Sequence, residues 1–125
     1  MTQIKNGRCS MIENIFNYST KEEKTIEQIV QDDAAQINHM ILPKDAALPE
    51  HYSNSNVYMI VMRGNLSLRL DDQEPHVYKY GQIVKIPFNT RMNVSNRDDQ
   101  ILEFMVVKAP HPKIFKKHLE VMENE

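Results

Sequence analysis

The side chains able to do chemistry in this chain are few and scattered. Five histidines are present, His39, His51, His76, His111 and His118, and the last three have no ligand spacing to one another. His51 can donate or accept a hydrogen bond, or act as a general base near neutrality, but no carboxylate stands at a motif position to orient it. Ser53 lacks the paired histidine and acid of a nucleophilic serine. Glu103 alternates with Leu102, Phe104 and Val106; turned inward it would be an acid or base, and the expectation is an outward, solvated charge. With only three glycines in the chain, no glycine-rich phosphate loop can be assembled. Met40, Met59, Met92 and Met105 could all line an interior by strand alternation, securely so for Met59 and Met92. A methionine-lined pocket is pliable and apolar and suits a small organic ligand; the alternative is a closed core that binds nothing.

The elements that must position these groups are mostly strands. Runs with the two-residue period of a strand cover 36–42, 57–62, 66–70, 76–80, 82–86, 90–94 and 101–107, each bounded by Gly, Pro, Asn or Asp. Short strands at such regular spacing predict an all-β sandwich or barrel. Ser19-Thr20-Lys21-Glu22-Glu23 carries two overlapping capping boxes, and Ile26, Ile29 and Val30 follow at helical spacing. That segment reads either as a short helix or as an extended arm on a neighbouring sheet. After Pro112, the residues Ile114, Phe115, His118, Leu119 and Met122 fit one amphipathic helix. The expected organisation is an N-terminal arm over 1–20, a single barrel over 21–112 and a C-terminal helix over 113–125.

The stretch from Asp45 to Asn96 resembles the two motifs of the cupin superfamily. The first motif corresponds to Leu48 through Val57, ending at Gly64. The second follows in register as Gly81, Pro87-Phe88-Asn89, Met92 and Asn96. The resemblance implies a double-stranded β-helix, the jelly-roll barrel of cupins. In metal-binding members it would assign three histidines and a glutamate as ligands, at positions that here hold His51, Ser53, Val57 and Met92. Of these, His51 alone is a strong ligand for a divalent first-row metal, and such a site needs about three. The expectation is therefore no metal and no other cofactor. A transition metal is the alternative, with His51 and His39 available to a rearranged site; for His39 the favoured role is a cross-strand hydrogen bond or a wet surface face. A ligand pocket would be lined by His51, Ser53, Val57, Met59, Val61 and Met92. The implied function is a metal-free, small-molecule-binding or structural barrel with no assured catalysis. The alternative is a cupin enzyme using His51 with rearranged ligands: a metal-dependent oxygenase or isomerase, or a sugar isomerase.

Composition limits the partners. Fifteen Lys and Arg against seventeen Asp and Glu give a net charge of −2, with no basic run that could neutralise a phosphate backbone. Nucleic acid is not expected. A membrane is not expected either, since no apolar run approaches a spanning length. Cys9 is the one cysteine, so no internal disulfide can form, and with no apolar leader the expected location is the cytoplasm. A homodimer is expected, because both faces of the 101–107 strand are apolar and one barrel buries only one of them.

Overall fold

The structure is a computed structural model and describes residues 11–116. Among these residues nine strands form: β1 (Thr25–Gln31), β2 (Gln36–Leu42), β3 (His51–Tyr52), β4 (Val57–Arg63), β5 (Asn65–Leu70), β6 (His76–Lys79), β7 (Ile83–Ile86), β8 (Arg91–Ser95) and β9 (Leu102–Lys108). A short helix, α1, occupies 112–116. The strands make a five-stranded sheet in the order β1-β2-β9-β4-β7 and a four-stranded sheet in the order β3-β8-β5-β6. Cys9 and the rest of the first ten residues lie outside the described residues. So do His118, Leu119 and Met122 of the expected C-terminal helix.

Alternation drives the architecture. In an antiparallel pair, residues directly opposite one another share a face, so the register sorts every side chain. Met40 pairs with Phe104 and Val61 pairs with Phe104, which sets one apolar row across the inner face. Val106 and Met59 pair in the adjacent row. Leu66, Leu68, Met92 and Val94 from the other sheet close the same buried cluster with Leu42, Val57, Ile86 and Leu102. Each such side chain contributes about 1.5–3 kcal/mol by leaving water.

The motif residues hold the loops between strands. Gly64 has φ +79°, and a Cβ there would stand 2.3 Å from the Ile101 carbonyl oxygen, so only glycine fits. Asn89 adopts φ +64°, a left-handed conformation that asparagine tolerates better than most residues. Asn96 is fully buried. Its amide donates to the carbonyls of Leu42 (2.8 Å) and Gln100 (2.7 Å), and its Oδ1 accepts from the Asp98 N–H (2.9 Å).

The helix alternative for the N-terminal segment does not hold. Thr25–Gln31 is a strand, paired antiparallel with β2. Ser19 does not cap a helix; its Oγ accepts the Lys21 N–H at 3.2 Å in a local turn. The edge of β2 supplies partners for this backbone, and that outweighs the short helical pattern.

Two outcomes test the packing. Gly64→Ala should cost at least about 2 kcal/mol, from the left-handed backbone and the carbonyl clash together. Met59→Asp or Leu68→Asp should unfold the chain, at a cost of about 4 kcal/mol or more for an unpaired buried charge. Lys85→Asp, at an exposed position, should stay within about 1 kcal/mol of the parent. Urea denaturation of the four variants measures all of this.

Candidate functional site

The family's ligand positions are divided by the fold. Val57 and Met92 sit in the buried core beside Met59 and Val61, so four of the six expected pocket residues do come together. Ser53 is also buried, but its hydroxyl is committed: Oγ donates to the Pro87 carbonyl at 2.6 Å and accepts the Thr90 N–H at 2.8 Å. It ties one motif loop to the other. His51 is exposed and does not join the other expected pocket residues. It pairs with Met92 and shares its face, yet β3 is a two-residue strand at the sheet edge and leaves the ring in solvent. There Nδ1–H donates to the Pro49 carbonyl at 2.8 Å. An exposed imidazole, a hydroxyl engaged with backbone, a valine and a core thioether do not fit a divalent cation. No group of three His, Cys, Asp or Glu side chains among the described residues has metal-binding geometry.

Two clusters emerge that the motifs do not predict. The first lies on the outer face of the five-stranded sheet. His39 is 0 % exposed. Its Nδ1 stands 2.8 Å from Glu27 Oε1, and its Nε2 stands 2.6 Å from Glu103 Oε2. This is the cross-strand hydrogen bond expected of His39, made twice. A neutral imidazole has one donor and one acceptor nitrogen, so bonding both glutamates needs either the imidazolium or a proton on one carboxyl. The Tyr18 ring lies against the imidazole at 4.6 Å, and the Ser19 N–H donates to Glu27 Oε1 at 2.7 Å. The N-terminal segment is thus fastened over the cluster. Glu103 does face away from the barrel, but it is not solvated, since its side chain is 15 % exposed and Arg63 Nε stands 3.5 Å from its other oxygen. The Ser19 N–H and then His39 hold the Glu27 carboxyl below its ordinary range.

The second cluster lies at one end of the inner face. Lys108 pairs with both Gln36 and Val57, so its stem points to the core side with them. Burial pushes its ammonium pKa down, and it makes no ion pair with a described residue. Asn38 pairs with Val106 on the same face; it is 5 % exposed, and its Oδ1 has no hydrogen-bond partner. Gln36 donates to Gln31 Oε1 at 3.0 Å, and its Nε2 stands 3.5 Å from the His111 ring. One signal in the sequence marks this end: Lys108 continues the inward parity of Leu102, Phe104 and Val106. The outer cluster had none, because Glu27, His39 and Glu103 meet only through strand register.

His39→Ala should cost about 3 kcal/mol, since it leaves two carboxylates close together with one partner gone; equilibrium unfolding reads this. Glu27 ionises at lower pH folded than unfolded. Its contribution is therefore complete above the ordinary carboxyl value of 4.5 and is lost as pH falls through the folded value. The stability gap between the parent and Glu27→Gln should accordingly be constant near neutrality and close in acid, followed by thermal melts across that range.

No family model matches the sequence. An uncharacterised protein of Methanocaldococcus jannaschii is 48 % identical over 104 residues, spanning 82 % of this chain and 90 % of the relative. The crystal structure of that organism's RmlC-like cupin family protein, with a double-stranded β-helix fold, superposes with a TM-score of 0.83 at 46 % identity, covering 86 % of this chain and 99 % of the other. The cupin domain of Schizosaccharomyces pombe Cnp3 gives a TM-score of 0.66 at 12 % identity over 79 % of this chain and 70 % of that one. A cupin superfamily protein of Desulfitobacterium hafniense gives 0.63 at 11 % over 74 % and 83 %; these two show the shared fold alone. With a relative this similar across most of both chains, and both family motifs in register, the chain belongs to the RmlC-like cupin family.

Proposed function

We propose that this protein is a metal-free cupin whose barrel binds a small organic molecule and which works as a homodimer. The observation that carries the metal-free reading is the state of the four family ligand positions. Val57 and Met92 pack in the core, the Ser53 hydroxyl serves two backbone groups, and His51 lies in solvent. A dication placed among them would have to shed water without gaining ligands, at a cost of several kcal/mol. Incubation of untagged protein with Fe(II), Mn(II), Ni(II) and Zn(II) in turn, then dialysis and elemental analysis, should leave well under one equivalent of each. Stoichiometric retention of any of them overturns the reading.

The dimer is supported by the apolar surface that one barrel leaves open. Ile12 is 100 % exposed, Ile15 59 % and Phe16 52 %, all in the segment that Tyr18 fastens over the outer face. Met105 and Val107 of β9 face the same side and are half-buried. A second copy placing the same patch against this one would cover both sets in a two-fold arrangement. Light scattering at micromolar concentration should give twice the chain mass. The double variant Ile15→Asp, Phe16→Asp should give the single-chain mass with the barrel still folded.

A further inference from the structure

Along β9 the inner face changes character. Leu102, Phe104 and Val106 are buried in the apolar core, and the next residue of the same parity is Lys108. Across from it on β2 stand Gln36, directly opposite, and Asn38, one diagonal step away. Diagonal neighbours on one sheet face lie about 7–8 Å apart, within reach of long side chains. An ammonium and a carboxamide at that spacing can grip two ends of one small molecule.

Each group lacks something a ligand would supply. The Lys108 ammonium is partly desolvated and makes no ion pair with a described residue, and a partly buried charge without a partner is unfavourable unless an opposite charge joins it. Asn38 is 5 % exposed and its Oδ1 accepts no hydrogen bond. Leaving such an acceptor bare carries its full desolvation penalty. Gln36 is different. Its amide is used by Gln31, with His111 alongside, and it forms the wall of this end. Val57, Met59 and Phe104 fill the apolar rows beyond.

We propose that this polar end of the inner face binds a small carboxylate that also carries a hydrogen-bond donor, a short hydroxy acid being the simplest such ligand. Lys108 takes the carboxylate and Asn38 Oδ1 takes the hydroxyl. The assignment deepens the small-molecule reading and rests on the barrel working without a metal.

The test uses three probes on full-length, EDTA-treated, isotope-labelled protein: lactate, with both groups; propionate, with only the carboxylate; and 1,2-propanediol, with only hydroxyls. Lactate should shift the Asn38 side-chain amide and the Lys108 resonances in a saturable way. Propionate should bind about tenfold more weakly and the diol not measurably, as expected for losing one hydrogen bond or the charge-assisted pair. Lys108→Met keeps the stem and removes the charge, so it should fold and should weaken lactate at least about tenfold. Asn38→Leu should bring lactate down to the propionate level while leaving propionate unchanged. If none of the probes shifts these two residues, or lactate binds the Lys108→Met variant as well as the parent, the assignment is overturned while the metal-free reading stands. Binding that appears only after Fe(II) is added, and survives Lys108→Met, overturns both.

Discussion

The last strand, β9, is the constraint on which the rest of the molecule depends. It enters the five-stranded sheet between β2 and β4, so the sheet is not continuous until the end of the chain has arrived. From that central position its side chains serve three environments. Leu102, Phe104 and Val106 fill the core, Glu103 reaches outward to His39 and Arg63, and Lys108 ends the inner face. A one-residue slip would bring Glu103 into the core and expose Phe104. The apolar inner set and the outer charge cluster therefore enforce the same register from opposite faces.

Neither set alone would define the register as firmly. Apolar side chains tolerate repacking, and a shift by two residues keeps the same parity inside. The outer contacts do not tolerate it. His39 bonds a glutamate on each neighbouring strand at 2.8 and 2.6 Å, distances that a two-residue slide of about 7 Å would destroy. A buried ionic group contributes little net stability once desolvation is counted. Its value here is specificity: it selects one pairing among those that hydrophobic burial alone would accept.

The barrel was legible in the sequence because a two-residue period survives any tertiary context that has an inside and an outside. The expected runs 36–42 and 57–62 match β2 and β4 closely. β1 was ambiguous because Ile26, Ile29 and Val30 also fit a helix face, and the free edge of β2 that decided the matter is not visible locally. His51 misled for a related reason. The motif register gives its face correctly, opposite Met92, but enclosure depends on how far the edge strand extends, and β3 ends after two residues. The alternation of β9 places Glu103 on the outer face, as the structure does. Its enclosure could not be read, since it depends on partners 64 and 40 positions away in the sequence, His39 and Arg63.

The loss of metal ligands has a physical consequence for the inner face. Where a cupin holds a dication, the ion supplies the charge and the protein supplies anionic or neutral donors around it. With a valine and a core methionine in two of those positions and serine in a third, the interior has no such focus of charge, and its middle rows close up into an apolar cluster. Gln36, Asn38 and Lys108 put polar groups where these rows reach one end of the barrel. There the cation belongs to the chain itself, covalently held on the central strand and carrying one charge instead of two. A fixed ammonium cannot polarise a carbonyl or activate a water as a metal does, but it can hold an anion. On the metal-free reading proposed above, the chemistry of this barrel moves from Lewis acidity toward recognition, and from its centre toward its rim.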